Sequence, residues 1–253
     1  MDYYCRPMVL QSATQPCSAT SVIVASRDRP ELLWDLLLSL ARATPPPAEV
    51  VIADDASTRP VAAQLPSRIW PFRLRILRND SSNGPASARN RAVHASRGDL
   101  LLFTDDDCVV DERWVEALVS PLTGKDHLLA GVGGRVLARD GDLYSRYYEF
   151  HRVLEPRPHD ASHPERVPYL VTANCAVRRD AFMRAGGFDD TIRFAGGEDA
   201  ALSMRLAKSG FHFHREPAAV VRHRFRPGVL ALARMFYQYG VGGRYVVDRY
   251  LPL

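Results

Sequence analysis

The four cysteines among 253 residues, Cys5, Cys17, Cys108 and Cys175, form neither a C-x-x-C pair nor a Cys/His ligand pattern. A zinc ribbon, a thioredoxin-like redox pair and a disulfide scaffold are therefore excluded, and free thiols in a reducing cytosol are expected. No run reaches the roughly 18 to 20 apolar residues that a membrane-spanning helix needs. The N-terminus lacks a basic segment followed by an apolar one, so no secretory signal is expected. A cytoplasmic location follows as an expectation, with peripheral membrane contact left open. The first strand-to-helix turn is no G-x-G-x-x-G and no Walker A loop occurs, so classical dinucleotide binding and P-loop chemistry lose support. No nucleic-acid-binding motif accompanies the basic residues, and no nucleic-acid partner is expected.

The chain is 46% hydrophobic and 25% charged, ordinary for a globular protein that buries a large core in one α/β domain or two small ones. Its net charge of +4 is unevenly spread: residues 205 to 253 hold nine Lys/Arg against only Glu216 and Asp248, a local +7. Such an excess suits phosphates, an anionic acceptor or an anionic lipid surface, or it is a solvated basic face.

Strand and helix patterns alternate through the first half. Ser21 to Ala25 read as a buried strand, then Arg27, Arg29 and Pro30 lead into an amphipathic helix over Glu31 to Arg42. Glu49 to Ala53 form a second strand ending at Asp54-Asp55, and a third lies near Leu74 to Leu77. Asn83-Gly84-Pro85 opens an Ala-rich helix that Gly98 is expected to close. Leu100 to Phe103, apolar without alternation, predict a strand covered on both faces, and Asp105-Asp106-Asp107 fall at its carboxyl end. Parallel βαβ units bring such ends to one edge, where ligands of open α/β sheets bind. Three adjacent carboxylates repel one another unless a cation sits among them, and hard divalent ions prefer oxygen ligands. A solvated acidic turn before a helix starting near Asp111 is the competing reading. Gly131 to Gly134 fit packing or a bulge better than a phosphate cradle.

In the second half, Tyr144 to His151 predict a helix, and Glu155 to Pro168 a long loop suited to a lid or acceptor-binding element. Tyr169 to Val177 read as strand and Arg179 to Ala185 as a short helix stopped by Gly186-Gly187. Glu198-Asp199 open a further helix. Residues 227 to 250 interleave aromatic and basic groups in an amphipathic helix that Gly240 to Gly243 are expected to break.

The order of these pieces resembles the inverting family 2 glycosyltransferases of the GT-A fold, over about residues 20 to 225. The signs are Ser21 to Ser26 with Arg29-Pro30, Asp54-Asp55, the GPASARNRA run, Asp105 to Asp107, the stretch Asn174 to Phe188, and Glu198-Asp199. The resemblance implies a Rossmann-like three-layer sandwich with a mostly parallel central sheet and a C-terminal helical segment. It divides the chain into a leader (1–19), a nucleotide-sugar half (20–120), an acceptor and catalytic half (121–226) and a helical tail (227–253).

Carried over by position, it implies that Ser26, Arg27, Asp54, Asp55, Arg89, Asp105 and Asp106 contact the nucleotide. Asp107 and Asp105, with His223, would hold Mn²⁺ or Mg²⁺. Asp199, beside Glu198, would be the general base, and Asn174, Tyr148 and His151 would face the acceptor. The implied reaction moves a sugar from a nucleoside-diphosphate donor, a UDP-sugar first among them, to a hydroxyl or amine of a small-molecule, glycan or lipid-linked acceptor. Relatives often carry an aromatic residue where Arg27 stands, which leaves the nucleobase open, and the oligomeric state, monomer or homodimer, is equally open. A non-catalytic carbohydrate-binding relative and a sugar-phosphate nucleotidyltransferase are the rival readings. The tail is expected to pack on its own domain and wall the acceptor pocket, with a dimer contact or a membrane surface as alternatives.

Overall fold

The computed structural model describes residues 17–158 and 160–250. Most of the expected leader, with Cys5, lies outside the described residues. Its last three positions instead begin the first strand, β1 (Cys17–Ser26). There follow α1 (Pro30–Arg42), β2 (Pro47–Asp54), β3 (Arg73–Arg78), α2 (Pro85–Ala95), β4 (Leu100–Thr104), β5 (Cys108–Val110) and α3 (Trp114–Val119). The second half contributes β6 (Leu129–Ala138), α4 (Leu143–His151), β7 (Arg166–Val167), β8 (Asn174–Arg178), α5 (Arg179–Arg184), α6 (Glu198–Lys208), β9 (His212–His223) and α7 (Val229–Tyr250).

One sheet runs through the molecule in the order β3-β2-β1-β4-β8-β6-β9-β5, with β7 attached to β9. Strands β3, β2, β1 and β4 are mutually parallel, as βαβ connections require, and β6 pairs parallel with β9. Strand β8 enters antiparallel between β4 and β6 and joins the two halves. Alternation along the central strands decides which core each residue enters. Val22, Val24, Val50 and Ile52 meet Leu33, Leu36, Leu37 and Leu40 of α1, with Trp114 and Leu118 of α3. Ile23, Val51, Leu101 and Phe103 meet Ala88 and Ala92 of α2, Phe182 of α5, and Leu202 and Leu206 of α6. Helix, sheet, helix is the expected three-layer sandwich. Both apolar faces of β4 are used, which is why it reads as an unbroken apolar run.

Several local expectations change. Helix α2 ends at Ala95 with Ser96 as its cap, so Gly98 does not close it; α3 begins at Trp114 rather than Asp111. Of the Tyr169–Val177 run only Asn174 onward is strand, because there the backbone pairs β4 and β6 on both sides. Gly131 to Gly134 lie inside β6, where the register against β9 shifts on both sides of Gly131–Gly133, in line with a bulge. The loop after α4 is tied down at Glu155, which accepts from the Val136 amide (3.1 Å) and from Arg215 Nη2 (2.8 Å).

Helix α7 runs unbroken through Gly240, Gly242 and Gly243. Gly242 is there because α7 crosses α6's entry at backbone contact: a β-carbon on it would lie 2.2 Å from the Gly196 carbonyl oxygen. At its far end Asp189 accepts hydrogen bonds from the Tyr250 (2.6 Å) and Tyr245 (3.2 Å) hydroxyls, which ties α7 to the loop before α6. Among the described residues no helix is long and apolar enough to cross a membrane.

Candidate active site

The carboxyl ends of β1, β2 and β4, the end of β9, the start of α6 and one side of α7 surround an open cavity of about 900 Å³. Register accounts for the meeting. Ser26 lies opposite Asp54 in the β1–β2 ladder, and β4 runs beside β1 on its other side. Cys108 pairs with His223, so the neighbouring Asp107 reaches the His223 ring.

The three consecutive aspartates have different tasks. Asp106 is buried, accepts from Ser26 Oγ (2.8 Å) and pairs with Arg29 Nη1 (3.0 Å). Burial, followed by the Asp107 charge, pushes its carboxyl upward despite Arg29. Asp105 accepts from Arg89 Nη2 at 2.7 Å, and its side chain is the most exposed of the three at 28%. Asp107 Oδ2 takes Arg29 Nη1 at 2.7 Å, while its Oδ1 is buried with no hydrogen-bond partner among the described residues, 3.2 Å from His223 Nε2. An unsatisfied buried carboxylate oxygen beside an imidazole nitrogen is a suitable pair of donors for a divalent cation. Cys108 Sγ lies close to both, but burial raises its thiol well above the ordinary range. A neutral thiol is a poor ligand for a hard ion, so the fitting set is Asp107 and His223, with Asp105 nearby.

Asp54 and Asp55 also divide. Asp54 is 1% exposed and accepts from the Ser57 and Val61 amides (2.9 and 3.0 Å) and from Arg78 Nη1 (2.9 Å). It does not line the cavity, and its expected part in reading the nucleotide is corrected to holding the turn after β2. Asp55 does line the cavity, and it shapes the 79–84 loop through Asn79 Nδ2 (2.8 Å), Ser82 Oγ (2.7 Å) and the Gly84 amide (3.2 Å). Arg27 is exposed at the rim and donates to Ser82 Oγ at 2.8 Å, the hydroxyl that in turn donates to Asp55.

Across the cavity, Glu198 is spent. Its Oε1 accepts from Arg89 Nη1 (3.0 Å) and its Oε2 from the Gly196 amide (2.8 Å), which fixes the Gly196-Gly197 turn. Arg89 thus ties Asp105 to Glu198. Asp199 lines the cavity with Oδ1 on its own helix's Ala200 amide (2.9 Å), a further hydrogen bond from the Thr172 backbone, and no ion pair among the described residues. Burial first, then the Glu198 charge, pushes its carboxyl up to about 7.

The expected acceptor residues fare unevenly. Tyr148 lines the cavity, stacked on Phe225 at 4.3 Å. Asn174 is corrected: it accepts from Trp114 Nε1 (2.8 Å) and donates to the Arg135 and Ala219 carbonyls (2.7 and 2.9 Å), so it is a buried strut between strands. His151 is corrected as well, since it is exposed against Tyr147, 4.4 Å between centroids, away from the cavity. Arg29, Arg193 and Tyr239 were not anticipated as site residues. Arg29 follows β1 as Arg27 does, so strand-end reasoning could have found it, whereas nothing local marks Arg193. Arg224, Arg226 and Arg234 carry part of the C-terminal basic excess to the cavity wall.

Comparison with known proteins adds to this geometry. The family model described as glycosyl transferase family 2 matches residues 21–186. One described as N-terminal domain of galactosyltransferase matches residues 159–226. The chain is 30% identical over 182 residues to the pre-mycofactocin glycosyltransferase of Mycobacterium tuberculosis, covering 70% of this chain and 37% of that protein. It thus spans well under half the length of the curated relatives it matches. A crystal structure of GalNAc-T7 with UDP, GalNAc and Mn²⁺ superposes with a TM-score of 0.65 at 20% identity, covering 82% of this chain and 44% of that one. The mannosyltransferase PcManGT from Pyrobaculum calidifontis, with GDP-Man and Mn²⁺, gives 0.64 at 19% identity over 92% and 67%. These last two likenesses establish the GT-A fold.

Proposed function

The chain belongs to glycosyl transferase family 2, and from that premise we propose that it transfers a sugar from a nucleoside-diphosphate donor to an acceptor hydroxyl or amine with inversion. The observation that carries this reading is the division of the cavity. Asp107 and His223 converge on one side, and on the other side Asp199 faces it, hydrogen-bonded by the backbone of Ala200 and Thr172 but, unlike Glu198, with no ion pair among the described residues. The neighbouring structures hold UDP or GDP-Man with Mn²⁺, which supports a donor of that class here.

Asp55, with Ser82 and Arg27, forms the nucleoside end; Arg29, Arg193 and Arg224 bring positive charge to the phosphate region. When bound at Asp107, His223 and Asp105, Mn²⁺ or Mg²⁺ would neutralise charge on the departing diphosphate. Asp199 removes the acceptor proton as the acceptor oxygen bonds to the anomeric carbon. The bond from that carbon to the diphosphate breaks, and its electron pair leaves with the phosphate. A carboxyl raised toward neutrality by burial suits this task, because its basicity is matched to taking a proton near working pH. Glu198 positions the turn and Arg89 holds Asp105, so neither receives the proton.

Asp199→Asn keeps the shape and removes the basicity. Donor binding should persist while turnover falls at least about 100-fold. Proton NMR of the product's anomeric centre tests inversion; a configuration equal to the donor's would overturn single displacement.

A further inference from the structure

Of the large apolar side chains exposed among the described residues, nine of twelve belong to α4 and α7. Leu143, Tyr147 and Phe150 stand out from α4. Val229, Leu230, Phe236, Tyr237, Val241 and Val247 stand out from α7. The rings of Tyr147 and Phe236 meet edge to face at 6.4 Å, so the two helices share one continuous face. On α7 this stripe lies opposite Gly242 and Val246, which pack inward against α6, so one helix presents apolar groups both to the core and to solvent.

The unpaired arginines give this face an excess of positive charge. Arg146, Arg226 and Arg234 are exposed and form no ion pair among the described residues. The acidic groups nearby are committed. Asp142 caps α4, Glu149 accepts the Ala138 amide, Asp140 pairs with Arg224, and Asp248 with Arg244. A second copy docked about a two-fold axis would set the same unpaired arginines on both sides of the contact, which is unfavourable. An anionic bilayer complements both features, since aromatic rings and short aliphatic groups enter the headgroup boundary while guanidinium groups pair with lipid phosphates.

We propose that the α4–α7 face docks this protein on an anionic lipid surface. Arg226, Leu230 and Arg234 belong to this face and also line the cavity. The cavity mouth therefore opens at the lipid boundary, and the acceptor is a membrane-borne molecule with a phosphate-bearing head. This last step rests on the transferase reading above; the docking itself does not.

The test is flotation of the full chain with vesicles of phosphatidylglycerol and phosphatidylcholine, against phosphatidylcholine alone, at about 0.1 M and about 0.5 M salt. Binding that requires the anionic lipid and weakens with salt is expected. The triple variant Phe150→Ser, Tyr237→Ser, Val241→Ser alters exposed positions that do not line the cavity. Its melting temperature and its stabilisation by UDP with Mn²⁺ should match the parent, while its vesicle partition falls about 10-fold or more. Arg146→Glu should lower partition at low salt and have little effect at high salt. Absence of flotation, or equal flotation of parent and triple variant, overturns the proposal. A concentration-dependent dimer in sedimentation, lost in the triple variant and unaccompanied by vesicle binding, overturns it in favour of a self-contact. Vesicle binding without any stabilisation by nucleotide and Mn²⁺ would leave the docking standing and refute the transferase reading instead.

Discussion

Replacing Gly242 by alanine separates helix propensity from packing at the contact that holds α7. In an exposed helix interior, Gly→Ala stabilises by about 1 kcal/mol. Gly243, its neighbour in the same helix, has nothing within 4 Å of an added β-carbon, so Gly243→Ala should gain that amount. At Gly242 the added carbon would lie 2.2 Å from the carbonyl oxygen of Gly196, 2.6 Å from its carbonyl carbon and 3.1 Å from the Gly197 nitrogen. These are backbone atoms at φ of +123° and +97°, fixed by the Glu198 hydrogen bond to the Gly196 amide, and they have no rotamer with which to move aside. The helices must separate instead, and overpacking of this kind costs about 1 to 3 kcal/mol. The propensity gain is common to both variants, so the difference between them reads the clash alone. At about 2 to 4 °C per kcal/mol for a domain of this size, Gly242→Ala should melt roughly 2 to 12 °C below Gly243→Ala by differential scanning calorimetry. Equal melting temperatures would refute the close crossing of α7 over α6, and with it the wall that α7 gives the cavity.

Asp107→Ala removes the buried unpaired oxygen facing His223 and should abolish Mn²⁺-dependent nucleotide binding by calorimetry; unchanged affinity would sink the metal assignment. Burial alone would raise the Asp189 carboxyl, but hydrogen bonds from Thr191 and Tyr250, with Tyr245, hold it at about 2 against an ordinary 3.8. A depressed folded value contributes stability above pH 3.8 that is lost as pH falls toward 2, so Asp189→Asn should flatten the acid side of the stability profile in that window. A parallel downward shift of the whole profile, with its acid slope kept, would contradict this. Asn174→Ala strands the Trp114 indole N–H and the Arg135 and Ala219 carbonyls, and should cost about 2 to 4 kcal/mol in urea unfolding. A loss below about 0.5 kcal/mol would mean that the asparagine is not a strut.

The elements that carry the site were legible because their signals are local. An unbroken apolar run such as Leu100 to Phe103, too short for a helix and followed at once by three aspartates, fits a doubly covered strand, and Pro30 and Pro85 mark helix starts from the sequence alone. Those strand ends then had to meet at one edge, since parallel strands joined by helices place their carboxyl ends together. The same local reasoning failed at Gly240 to Gly243. Glycine weakens an isolated helix, and only the proximity of Gly196 and Gly197 explains why the helix needs it there.

The chain's sequence by itself determined the sheet edge, the acidic turns delivered to it and the basic excess that follows. It could not assign tasks among adjacent carboxylates. Whether Asp54 or Asp55 faces the cavity, whether Asp106 or Asp107 keeps a free oxygen, and whether Glu198 or Asp199 stays unspent depends on donors far along the chain: Arg78, Ser26, Arg29 and Arg89. Asn174 was misplaced for the same reason, since a polar residue's partners across a sheet leave no trace in its neighbours. Tertiary structure decided these roles because a carboxylate's chemistry is what remains after its hydrogen bonds are made, and those bonds are made by residues that only the fold brings near.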